Sequence, residues 1–231
     1  MRGLVYVAAL IMLAACGGSS GGSTPTPTQP STPAQPQANR NPTINSISVN
    51  PTFGIATFTT YTFASSASDA DGDTLTYTWD LAGNSRTGAS QTIVFSNGGN
   101  GVGTLTVTDG RGGSASQSVQ FVSGTAGGSW TGDLPLAEGP RPLTATLSQS
   151  STTGAVTGTW NLPARGVVGN LDPASPNAID ATGRVVLRFK VTSGGTFNDF
   201  TFTGQLSTSG RTITGSVSGS GFAGQAVTFN K

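Results

Sequence analysis

Three carboxylates at alternate positions, Asp69, Asp71 and Asp73, form the densest group of ligand-type side chains in this 231-residue chain. Calcium takes six to eight oxygen ligands, and carboxylates gathered in one turn can supply three of them. Gly72 permits the sharp turn, and Asp80 and Asp109 are further oxygen donors in neighbouring turns. Thr74 and the strand-like sequence after it exclude an EF-hand. The plain alternative is a solvated Asx-type turn, because Asp and Gly favour turns on their own account. Cys16 is the only cysteine and closes the sequence Leu13-Ala14-Ala15-Cys16, so an internal disulfide is impossible. Trp130 and Trp160 offer rings that could line a ligand cavity, or else plug a core, whereas Trp79 reads as core. The chain has no histidine, which removes Ser-His-Asp triads, Cys-His dyads and His-ligated zinc. Glu138 is the single glutamate beside nine aspartates. It flanks a proline-containing turn with Asp133, with nothing nearby suggesting a cleft, so an aspartate-dependent hydrolase is the remote alternative and the expectation is a non-enzyme.

The elements that must position these residues are strands. The chain holds 34 glycines and only 9% charged residues. Thr and Gly are poor helix formers, and Thr alternating with apolar residues suits half-buried strands. A formal net charge of +1 gives no electrostatic case for nucleic acid.

Arg2 precedes an apolar run from Leu4 to Leu13. That run is too short to span a bilayer, which needs ~20 apolar residues. It is a short export signal with a cysteine at its cleavage site. The arrangement resembles the lipobox of bacterial lipoproteins. The resemblance implies that residues 1–15 are removed and that Cys16 becomes the acylated (palmitate-type) first residue. The protein would then be tethered to a membrane of the cell envelope, outside the cytoplasm. Gly17, where an aspartate would signal retention, implies the outer membrane under enterobacterial-type sorting. Residues 16–41 read as a disordered Gly/Ser/Thr/Pro stalk, since they carry no periodic apolar face to offset ordering entropy.

Residues 42–123 read as a β-sandwich with strands near 43–49, 57–67, 74–81, 91–96, 103–108 and 114–122. In Thr74 to Asp80, Leu75, Tyr77 and Trp79 share one face and the threonines the other. The run Asp69-Ala70-Asp71-Gly72-Asp73, the strand ending Tyr77-Thr78-Trp79-Asp80, and Val107-Thr108-Asp109-Gly110 resemble PKD-like immunoglobulin-type domains of bacterial envelope proteins. The resemblance implies a spacer, or a module for adhesion or carbohydrate contact. One departure is Leu81-Ala82-Gly83-Asn84-Ser85, where that family has a phenylalanine and a Gly-Asp-Gly turn.

Residues 124–128 read as a short linker. Residues 129–231 read as an antiparallel meander of about eight strands, closed or nearly closed into a barrel. Val185, Leu187, Phe189 and Val191 alternate inward, while Arg184, Arg188 and Lys190 make a basic stripe on the other face. Glycine recurs between strand formers at Gly158, Gly204 and Gly215, the pattern of bends or close backbone approach. Gly128-Ser129-Trp130 looks like the Gly-x-Trp start of lipocalin- and avidin-type barrels.

The expectation is a lipid-anchored envelope protein displaying non-catalytic all-β domains toward a carbohydrate or protein partner, or acting as a spacer. A small-ligand carrier using the barrel is the alternative. No cofactor is expected beyond calcium.

Overall fold

The computed structural model describes residues 37–195 and 197–231. The export signal, Cys16 and residues 16–36 of the expected stalk lie outside the described residues. Eight strands come first: β1 (Thr43–Asn50), β2 (Phe53–Ile55), β3 (Thr60–Ser68), β4 (Thr76–Leu81), β5 (Asn84–Thr87), β6 (Ser90–Val94), β7 (Gly99–Thr108) and β8 (Ser114–Gly124). They build two sheets, ordered β1-β3-β6 and β2-β8-β7-β4-β5, with β2 parallel to β8 and every other pair antiparallel. The alternation read from the sequence sets the faces. In β4 Trp79 and Leu81 are buried while Thr76, Thr78 and Asp80 are exposed. Trp79 meets Phe63 edge-on at 5.6 Å, and Phe121 stacks on Phe95 at 4.6 Å.

Two short strands were not expected. β5 is polar throughout and carries no apolar alternation. It exists because Ala82 and Gly83 both take positive φ, closing a two-residue hairpin that Asp80 Oδ1 ties by accepting the Gly83 N–H at 2.7 Å. β2 is only three residues long. The strand expected from residue 57 starts at Thr60 instead, because Thr57–Thr59 turn back on Ile55: Thr59 Oγ1 accepts the Ile55 N–H at 2.7 Å and the Thr59 N–H returns to Ile55 O at 2.9 Å.

Nine further strands follow: β9 (Gly128–Leu136), β10 (Gly139–Gln149), β11 (Val156–Leu162), β12 (Val167–Leu171), β13 (Ala178–Ile179), β14 (Arg184–Ser193), β15 (Phe200–Leu206), β16 (Thr212–Gly219) and β17 (Phe222–Asn230). β9, β10, β11, β12, β14, β15, β16 and β17 pair in a ring, closed where β12 meets β14 and where Asn230 of β17 faces Thr131 of β9. This is a closed eight-stranded antiparallel barrel, with β13 as a short addition beside β14.

The barrel's tight coil explains the recurring glycines. Gly204 and Gly215 face each other across β15 and β16, and a Cβ on Gly215 would strike Thr203 O and Gly204 Cα. At the β12–β14 closure Gly169 sits opposite Trp160, and a Cβ there would strike the indole and Lys190 O. The Trp160 Nε1–H donates to Asn170 O at 3.3 Å and Lys190 O at 3.2 Å, so one ring stitches the seam. Phe189 and Phe200 stack at 4.6 Å beside it.

Residues 38–231 form one compact unit. Residues 124–128, expected as a linker, are built into both halves. Gly124 ends β8 opposite Ile55, and Ala126 lies in the barrel core. Ile55 itself, although it belongs to β2, is 2% exposed within the barrel's hydrophobic cluster. Gln149 of β10 joins the pieces. Its Oε1 accepts from Thr125 Oγ1 at 2.7 Å and the Ala126 N–H at 2.9 Å, and its Nε2 donates to Ala56 O at 3.3 Å.

Candidate functional site

Asp69, Asp71 and Asp73 converge as their spacing suggested, with ligand oxygens all within 4.8 Å of one another. An Asx turn shapes the loop: Asp69 Oδ1 accepts the N–H of Asp71 at 2.8 Å and of Asp73 at 3.2 Å. The segment entering β1 then docks on it. Arg40 places its N–H 2.7 Å from Asp71 Oδ2 and its guanidinium 3.0 Å from Asp71 Oδ1, while Arg111 Nε lies 3.0 Å from Asp73 Oδ1. Two oxygens remain buried without a partner, Asp69 Oδ2 and Asp73 Oδ2, and the Asp73 side chain is 8% exposed. The three carboxylates suit a hard divalent cation and supply half or fewer of its oxygens.

Asp109 stands apart from this cluster and acts as a clamp. Its Oδ1 accepts the N–H of Arg111 at 2.7 Å and of Gly113 at 2.9 Å, and its Oδ2 accepts Asn39 Nδ2 at 2.7 Å. The Asn39 bond, then the Arg111 N–H, holds the Asp109 carboxyl below its ordinary range. That stabilisation is complete above the ordinary carboxylate pKa and fades as pH falls through the depressed one. Asp80 is spent on its hairpin. Glu138, in the β9–β10 turn, pairs with Arg165 at 2.6 Å.

Trp130 and Trp160, the candidate ligand residues, are core, each 2% exposed. Trp130 donates its Nε1–H to Ala126 O at 2.8 Å and lies under the Lys231 ammonium at 4.7 Å. Stacking on a ligand needs an open ring face, and barrel closure buries both rings. One open surface cleft of about 390 Å³ touches Trp160, but threonines and asparagines line most of it.

A group of adjoining clefts lies elsewhere, around Ser96-Asn97-Gly98-Gly99-Asn100-Gly101, of which the sequence placed Ser96 at the end of a strand and the rest between strands. Three open clefts share walls there. One, of about 340 Å³, opens between the sheet edges at Arg86 and Phe95. A second, of about 290 Å³, faces Thr125, Arg211 and Lys231. The third, of about 570 Å³, faces Phe53, Gln120 and Thr208. Asn100 lines all three. Glycine lets the backbone pass this close, since a Cβ on Gly98 would hit Thr125 and one on Gly101 the Phe121 ring. Ser123, buried beside Tyr61, borders the first two clefts, and its hydroxyl lacks a partner of good hydrogen-bond geometry.

Residues 39–123 match the family model described as PKD domain. The expected PKD-like immunoglobulin-type half is therefore present, and it supplies most of the cleft walls. No curated protein matches the chain. A solved structure from a study of the promiscuous specificity of carbohydrate-binding modules of the β-sandwich superfamily covers 84% of this chain and 92% of its own. Its sequence identity is 16% and its TM-score 0.35.

Proposed function

We propose that this chain is a lipid-anchored cell-envelope protein whose non-catalytic β domains bind a carbohydrate or protein partner. The observation that supports it best is the run of three contiguous clefts around Asn100. There amides of Asn84, Asn97, Asn100 and Gln120 gather with hydroxyls and short apolar walls. Convergent polar groups on a concave surface suit recognition of a polyhydroxylated ligand. The lipobox-like sequence at Leu13-Ala14-Ala15-Cys16 supports display from a membrane, outer in a two-membrane cell. Cys16→Ser is expected to move the protein from the membrane to the soluble fraction while its thermal melt is unchanged. A serine variant that still sediments with membranes overturns the anchor. The binding half stands or falls with native-gel titrations against neutral and acidic polysaccharides.

A second reading has its own observation. The two partnerless oxygens of Asp69 and Asp73 support a calcium ion held by Asp69, Asp71 and Asp73. It would stiffen the loop where the chain enters the sandwich. Millimolar calcium is expected to raise the melting temperature of the full chain and to release or absorb heat on titration. Asp73→Asn is expected to abolish both signals. A flat titration with no melting shift ends this reading.

A further inference from the structure

The charged side chains that line the clefts around Asn100 are all basic. Arg86, Arg211 and Lys231 line them, and no acidic side chain does. None of these three cations forms an ion pair among the described residues. Arg86 stands at the open edge of the sandwich, opposite Trp79 in the β4–β5 ladder. Its guanidinium donates to a backbone carbonyl, Ser85 O, at 3.1 Å. Arg211 follows Gly210 in the β15–β16 turn, on the barrel side. Lys231 Nζ donates to Thr125 O at 3.1 Å, and burial against the Trp130 ring lowers its hold on its proton. An ammonium with no ion-pair partner, set over an aromatic ring, gains from a nearby anion.

The basic stripe on β14 is a useful contrast. Lys190 lies 3.9 Å from Asp172, and the charges of Lys190 and Arg188 bear on Asp172 as that of Arg184 bears on Asp180. Positive charge there is answered locally. In the clefts it is not, and concave low-dielectric walls concentrate such a field.

Resting on the carbohydrate reading above, we infer that the clefts around Asn100 bind an anionic polysaccharide, with Arg86, Arg211 and Lys231 facing the carboxylate or phosphate groups of successive sugars. Guanidinium suits both oxyanions through paired N–H donors. The asparagine amides would meet the hydroxyls between the charges.

The test is native-gel affinity electrophoresis of the full chain, in detergent, against polygalacturonate, a phosphomannan and uncharged dextran. Retardation by an acidic polymer and not by dextran is expected. Carboxylate and phosphate arms then tell which oxyanion is preferred. Arg86→Gln and Arg211→Gln are each expected to weaken binding by roughly two- to fivefold at low salt, the scale of an exposed charge pair, and less as salt rises. Lys231→Gln is expected to do the same. Because that residue also covers Trp130, it is read only beside its melting curve, and the two arginine variants carry the test. Arg184→Gln is expected to change nothing. Equal binding of dextran, unmoved by the arginine variants, overturns the anionic ligand and leaves carbohydrate binding standing. Acidic binding lost in Arg184→Gln instead moves the site to β14 and overturns this one. No retardation by any polymer overturns the carbohydrate reading itself.

Discussion

Trp130→Ala is expected to cost about 3–5 kcal/mol of stability, the range for removing a buried aromatic from a core. Three things go at once. The barrel loses one of its two buried tryptophans, near the start of β9. Ala126 O loses the indole N–H donated at 2.8 Å. Lys231 loses the ring 4.7 Å beneath its ammonium, a contact worth roughly 0.5–2 kcal/mol according to its exposure. Domains of this kind have about 5–15 kcal/mol in total, so the variant should sit near the edge of folding. Denaturant midpoints of the two proteins measure this. A loss under about 1 kcal/mol would place the ring outside the core, contrary to its burial. Trp130→Phe should recover most of the packing but not the Ala126 bond.

Ile55→Ala is expected to cost about 2–5 kcal/mol, and to do so in both halves of the molecule. Ile55 is carried by the sandwich strand β2 yet lies in the barrel's hydrophobic cluster. Its backbone is held by Thr59 and by pairing with Gly124, and Gln149 ties the next residue to β10. Removing the side chain opens a cavity under the barrel while loosening the strand that delivers it. Hydrogen exchange resolves the two effects. Protection should fall both in β3 and β8 and in β10 and β11. A loss confined to the sandwich would mean that the halves are stabilised independently.

Much of the fold was legible because alternation is a local signal. Trp79 and Tyr77 against their threonines, and Val185, Leu187 and Phe189 against Arg184 and Arg188, fix faces within one strand. The observed burial follows both patterns. β2 and β5 were not legible for opposite reasons. β5 has no apolar residue to alternate, and β2 spends its Ile55 on a core other than its own sheet's. Closeness of the three aspartates was legible because one turn holds them. Their arginine partners were not, since Arg40 reaches Asp71 across 31 positions and Arg111 arrives from a separate hairpin. The roles of Trp130 and Trp160 turned on whether the barrel closes around them, which no short-range pattern states.

The clefts around Asn100 were the hardest part to foresee. Their walls come from β2, β5, β6, β7, β8, the β15–β16 turn and Lys231, which meet only after both halves have folded. The available signal was the run Ser96-Asn97-Gly98-Gly99-Asn100-Gly101, rich in small polar residues where the chain crosses from β6 in one sheet to β7 in the other.

The central claim is that this surface, and neither the aspartate turn nor the barrel interior, meets the ligand. Hydrogen exchange of the full chain with and without polygalacturonate tests it most directly. The expected result is added protection at Ser96–Gly101, at Arg86 and across Ser209–Arg211. Protection that appears instead at Asp69–Asp73 or along Arg184–Lys190, with the Asn100 region unchanged, would contradict it.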